Sequence, residues 1–143
     1  MLKISKLVDH GTLVLSQLPY KDQGYLSAAR VAKKISLSPA NVSKILKLMH
    51  QNNLVKSERG THGGYALNQP PEKITAAHIL IALEGPLAIT QCISGKTTCI
   101  VEDTCSMSNG WKKINYIIQD ALSTMTLQEL KEKPIFFNLN NKH

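Results

Sequence analysis

A chain of 143 residues with 43% hydrophobic content is long enough for one compact domain, or a small domain plus a dimerisation element, and too apolar to stay disordered. No run approaches the roughly 18 apolar residues of a membrane span, and the start from Met1 to Gly11 lacks a signal-peptide core, so the cytoplasm is the expected location and no membrane partner is expected. Seventeen Lys and Arg against ten Asp and Glu give a net charge of +7, which suits a nucleic-acid partner whose affinity comes from neutralised phosphates and released counterions.

Ile4, Leu7, Val8, Leu13, Val14, Leu15 and Leu18 recur near a helical period and predict a first helix over 4–18 that tolerates Gly11 and closes at Pro19. Ser27 then precedes Ala28, Val31, Ala32 and Ile35, the spacing of a short capped amphipathic helix. A third helix starts with Ser38 as N-cap and Pro39 at its first position, buries Val42, Ile45, Leu46 and Met49, and ends at Asn52 and Asn53. Its free face carries Ala40, Lys44, Lys47 and Gln51, flanked by Asn41 and Ser43. Two short helices joined by a tight turn, the second beginning with small and amide side chains, fit a helix-turn-helix.

Leu54 to Arg59 reads as a strand, Gly60-Thr61-His62-Gly63-Gly64 as a turn and Tyr65-Ala66-Leu67 as the returning strand. A hairpin directly after a recognition helix is a wing, and its glycines are expected to let the tip approach phosphates or a narrow groove. Candidate DNA contacts are therefore Ala40, Asn41, Ser43 and Lys44 toward base edges, with Lys47, Arg59 and His62 toward the backbone.

Pro70-Pro71 stiffens the link to a fourth helix, Ala76 to Glu84, capped by Thr75 and stopped by Gly85-Pro86. From Leu87 to Thr104 there is no clean period, and this loop holds Cys92 and Cys99 and ends at Cys105, the only cysteines in the chain. Three cannot all pair as disulfides, so a metal, iron-sulfur or redox use is favoured. Beyond them, Trp111, Ile114, Ile118, Ala121 and Met125 alternate steps of three and four along a long helix, the seam two helices need to pack against each other, and a two-fold homodimer is expected. Thr126 begins a last short piece, Leu127 to Lys131, which Phe136 and Phe137 are expected to dock before a frayed tail from Asn138 to His143.

The fold class read from these elements is mainly α with a small β-hairpin. A winged helix-turn-helix would span 1–71, a helix and the cysteine loop 72–105, and the dimerisation helix and tail 106–143. Paired carboxylates, a nucleophile motif and a phosphate-binding loop are all missing, so an enzyme is not expected.

The stretch Ser38-Pro39-Ala40-Asn41-Val42-Ser43-Lys44, the wing from Arg59 to Tyr65, Ala82-Leu83-Glu84-Gly85-Pro86 and the cysteine triplet together resemble the bacterial winged-helix regulators that include IscR and NsrR. The likeness runs from Met1 to about Leu130 and is strongest to regulators of the SUF iron-sulfur assembly operon. It implies a homodimer, promoter-operator duplex DNA as partner and an iron-sulfur cluster, [2Fe–2S] or [4Fe–4S], on the three cysteines, with cluster state controlling a repressor of assembly or stress genes. One position departs from the IscR pattern: the His expected three residues after the last cysteine is Ser108. In the NsrR pattern an acid on the first helix of the partner subunit completes the site, and Asp9 stands there, with His10 next to it. A zinc- or thiol-redox-switched regulator without a cluster is the alternative, since three thiols plus Asp9 or His10 would satisfy tetrahedral zinc.

Overall fold

The computed structural model describes residues 3–95, 99–101 and 104–132, so the expected docking of Phe136 and Phe137 and the tail beyond them lie outside the described residues. Helix α1 (Lys6–Gln17) starts at Ser5, whose hydroxyl accepts from the Val8 N–H. Helix α2 (Ala28–Ile35) is capped the same way by Ser27, and α3 (Pro39–Gln51) by Ser38 with Pro39 at its first position. Each cap satisfies one of the N–H groups that a helix start leaves without an internal partner. Asn53, at φ 59, takes the left-handed turn that ends α3, a conformation Asn tolerates better than most side chains.

Strands β1 (Val55–Glu58) and β2 (Gly64–Leu67) pair antiparallel, from Val55 opposite Leu67 to Glu58 opposite Gly64. The hairpin is anchored to the body by backbone bonds: Leu26 and Tyr65 exchange N–H···O contacts of 2.9 and 2.7 Å, and the Leu67 N–H donates to Pro19 O at 2.8 Å. Gly64 serves this anchoring, and Gly63 serves the hairpin's own turn. A Cβ on Gly64 would run into the Leu26 carbonyl at φ +146, and one on Gly63 into the Glu58 carbonyl. Gly64 thus lets the wing pass the body, and Gly63 lets the hairpin close on itself.

Helix α4 (Ala76–Glu84) is capped by a reciprocal pair, Thr75 and His78, and ends at Gly85. It packs against α1, α3 and a long helix α6 (Ser108–Thr124). Between them, the stretch expected to be irregular contains one helical turn, α5 (Gln91–Ser94), which carries Cys92. Four residues are too few to leave a periodic signal, which is why the sequence reads as loop. A last helix, α7 (Leu127–Lys131), is strapped back onto the body: the Ala76 N–H donates to Met125 O at 2.8 Å and the Leu127 N–H to Ile74 O at 2.6 Å.

The core gathers Leu15, Val31, Leu46, Met49, Leu67, Ile79 and Leu127, drawn from α1 through α4, the wing and α7. Burying each such side chain contributes about 1.5–3 kcal/mol. Asn52 ties two of these helices together, its amide donating to Leu48 O and, at 3.1 Å, to Ala82 O. Among the described residues no helix is long and apolar enough to cross a membrane.

Candidate nucleic-acid interface and cysteine loop

Helix α3 rests on α2 and α1 through Val42, Ile45, Leu46 and Met49, all buried, so its opposite side is left free. Ala40, Asn41, Ser43, Lys44 and Lys47 are all exposed there. Arg59 and His62 are exposed at the wing tip. The expected contact residues thus fall on two neighbouring features of one body: a helix face that presents amide, hydroxyl and ammonium groups, and a hairpin that presents cations.

Sequence reading missed what lies between wing and α2. A polar groove of about 310 Å³ there is lined by Gly24, Tyr25, Ser27, Arg30, Thr61, His62 and Gly63. Partial desolvation, then the charge of Glu58 and a hydrogen bond to it, hold the Tyr25 phenol above its ordinary value of 10.0. Tyr25 therefore stays a neutral phenol beside Glu58 of β1. No local pattern marks it, because α2 and α3 separate the two residues in the chain.

Cys92, Cys99 and Cys105 are free thiols, each half-buried. Cys92 sits on α5 with its sulfur 3.1 Å from Thr90 Oγ1. Three thiols are the soft donor set used by iron-sulfur and zinc sites, so the residue chemistry fits such a group. Their arrangement is more open than one coordination shell: among the described residues, no three or more His, Cys, Asp or Glu side chains are grouped to hold a metal ion. Ser108 opens α6. Asp9 and His10 point into different grooves of α1, Asp9 toward α7 with Leu127, Leu130 and Lys131, and His10 toward α3 with Asn41 and Lys44.

The approach to the cysteine loop is held by a residue with no motif. Asn115 of α6 is 5% exposed, and its Oδ1 accepts the Ile89 N–H at 3.1 Å while its Nδ2 reaches Leu87 O at 3.4 Å. Gln119 adds a donor to the same Leu87 carbonyl at 2.9 Å. Backbone polar groups in this stretch have no sheet or helix partner, so the two amides take that place. The segment leading into Cys92 is thereby pinned to α6.

The five expected seam residues divide. Trp111, Ile114, Ala121 and Met125 are exposed, whereas Ile118 is half-buried and turned with Asn115 and Leu122 toward α4 and the 87–89 segment. Ile117, which the seam omitted, is 57% exposed beside Ile114 at 43%.

The family model for Rrf2, an iron-dependent transcriptional regulator, matches residues 4–133. The chain belongs to the Rrf2 family. It is a DNA-binding transcriptional regulator rather than an enzyme, with the winged-helix body described above. Among its relatives, the transcriptional regulator CymR of Bacillus subtilis is 28% identical over 130 residues, covering 90% of this chain and 89% of that one. The solved structure of B. subtilis CymR, described as a global cysteine regulator, superposes with a TM-score of 0.72 at 30% identity, covering 91% of this chain and 96% of that one. The structure of T. potens IscR superposes with a TM-score of 0.63 at 26% identity, covering 90% of this chain and 85% of that one. Both the cysteine-regulator and the IscR branches of the Rrf2 family are therefore close in fold to this protein.

Proposed function

We propose that this Rrf2 protein is a homodimeric repressor whose operator affinity is set by the Cys92–Cys105 loop, with the three thiols as ligands of an iron-sulfur cluster. The observation that carries the reading is the pinned loop: three half-buried free thiols lie on one segment whose entry is fixed to α6 by Asn115. Cys92, Cys99 and Cys105 would hold the cluster, and Asp9 of a second copy would supply the fourth ligand. When bound, the cluster supplies metal–thiolate bonds that oxidant, nitric oxide or iron scarcity can break.

This chain's own residues carry the rest. Asn41, Ser43 and Lys44 meet base edges, where Asn pairs with adenine and Lys donates to guanine. Lys47, Arg59 and His62 meet the backbone. Helix α6 supports the dimer through the outward stripe of Trp111, Ile114, Ala121 and Met125, apolar side chains that a monomer leaves in water. A loop fixed to α6 then bears on the helix that sets the separation of two recognition helices, which must be roughly 34 Å for half-sites one turn apart. Tenfold in DNA affinity needs a difference of about 1.4 kcal/mol between loop states.

Anaerobic purification with visible absorption and native mass spectrometry tests the ligand set, and footprinting of holo-protein, apo-protein and Cys92→Ala on one promoter tests the coupling. A coloured dimer with an iron-sulfur mass, and protection that differs among the three forms, is the expected result. Identical protection from all three sinks the coupling.

A second reading is a zinc- or thiol-redox-switched regulator without a cluster; its thiol-redox form draws support from the likeness to CymR and from the open arrangement of the thiols. It predicts a colourless protein whose DNA affinity changes with zinc or on thiol oxidation.

A further inference from the structure

Beside the recognition face, α1 and α3 enclose a groove of about 260 Å³ lined by Lys6, Leu7 and His10 from the first helix and Asn41, Lys44 and Ile45 from the second. Leu7 and Ile45 are its apolar wall, and Ile45 is buried. The charged side chains in the lining, Lys6 and Lys44, are both cations, and both are exposed. The neighbouring acid, Asp9, lines a different groove, between α1 and α7. Lys6 and Lys44 come from separate helices whose spacing is fixed by core packing, so their charges converge without a loop having to order.

Its α1 side offers the Lys6 ammonium and the His10 imidazole N–H to one anion, and its α3 side is formed by Asn41 and Lys44, the side chains assigned to base edges. We propose that this groove grips the DNA backbone: Lys6 and His10 of α1 hold a phosphate next to the bases that Asn41 and Lys44 of α3 read. The inference rests on the recognition-face reading above and extends it to a helix outside the helix-turn-helix and the wing. Lys6 contributes charge; His10 contributes a hydrogen bond. Electrostatic attraction at such a site is sequence-independent, because a phosphate carries no base identity.

The test is the salt dependence of binding to a fluorescein-labelled mixed-sequence duplex, read by anisotropy for the wild type, Lys6→Gln, Lys6→Arg, Lys3→Gln, Lys47→Gln and His10→Ala. Lys3 is the control, since it is an exposed cation that lines a different cavity, with Glu84 and Leu87. Each phosphate contact removed lowers the slope of log K against log salt by about one unit, so Lys6→Gln is expected to lower it while Lys6→Arg and Lys3→Gln keep it. His10→Ala is expected to weaken binding about fivefold with the slope kept, the size of one hydrogen bond. An unchanged slope in Lys6→Gln, or an equal fall in Lys3→Gln, overturns the groove. If Lys47→Gln still lowers the slope in that case, the recognition face stands without it; if Lys47→Gln also leaves the slope unchanged, both readings fall.

Discussion

From α1 to α4 the helices and wing seal Leu15, Val31, Leu46, Met49, Leu67 and Ile79 from solvent, whereas α6 fully buries only Asn115 of its 17 residues and exposes Trp111, Ile114, Tyr116 and Ile117. The first region closes a core from its own side chains, so its recognition helix keeps one orientation in an isolated chain. The second turns Asn115, Ile118 and Leu122 inward and leaves Trp111, Ile114 and Ile117 outside. That outward stripe is the surface assigned above to the proposed dimer, and the segment leading into Cys92 is pinned to the same helix. On the proposed reading, the sealed half supplies the DNA chemistry and the open half supplies the geometry through which the cysteine loop would act.

The largest expected effect belongs to the sealed half. Leu46→Ala leaves a cavity among α1, α2 and α3 and should lower unfolding free energy by about 2–5 kcal/mol in chemical denaturation. A loss below about 1 kcal/mol would mean that this core is looser than its burial says. Next comes the latch between the halves. Asn115→Leu strands the Ile89 N–H and weakens the hold on Leu87 O, which should lower stability by about 1–3 kcal/mol and speed amide exchange in 87–94 ahead of the rest of the chain. Uniform exchange across the molecule would deny Asn115 its local role.

Smaller for the fold, and larger for assembly, is a charge on the outward stripe. Ile114→Glu should leave the melting of the protomer nearly unchanged, since the side chain is already 43% exposed, and should weaken self-association about tenfold or more, or about 1.4 kcal/mol. Light scattering across a dilution series reads it. A mass that stays dimeric at every concentration would move the interface off α6.

Those contrasts also explain how much was legible in the sequence. The helices of the sealed half announce themselves: Ser27, Ser38 and Thr75 stand at the observed caps, and Val42, Ile45, Leu46 and Met49 are the observed buried stripe. Local rules suffice where each helix buries one side against neighbours and caps its own start. The candidate contacts Asn41, Ser43, Lys44 and Lys47 were legible for the same reason, as the face left over. Asn115 was not, because its partner Ile89 lies 26 residues away and an Asn inside an apolar seam looks like an exposed interruption. Arg30 and Tyr25 were missed because the groove they line is formed by folding the wing back onto α2. Ile118 was read as seam because a period of 3.5 cannot say which side of a stripe faces the chain's own body.

The finest test of the comparison is α7, which follows the open helix in the chain yet belongs to the sealed half. Leu127 is fully buried in the common core, and Thr126 and Glu129 cap the helix reciprocally: the Thr126 N–H and hydroxyl both donate to the Glu129 carboxylate at 2.8 Å, and the Glu129 N–H donates to the Thr126 hydroxyl. The backbone N–H of Thr126, then its hydroxyl, hold the Glu129 carboxyl below its ordinary value of 4.5. A carboxyl depressed in the folded state adds stability above its unfolded value, and that stability is lost as pH falls through the folded one. Acid should therefore loosen α7 while the wing and α3 stay in place, and the effect should be small because Glu129 is exposed. Glu129→Gln should melt slightly lower than wild type at neutral pH and match it in acid. A melting difference that is the same at both would take the carboxylate out of the strap, leaving buried Leu127 and the backbone bonds to Ile74 and Ala76 to hold α7 to the sealed half of the molecule.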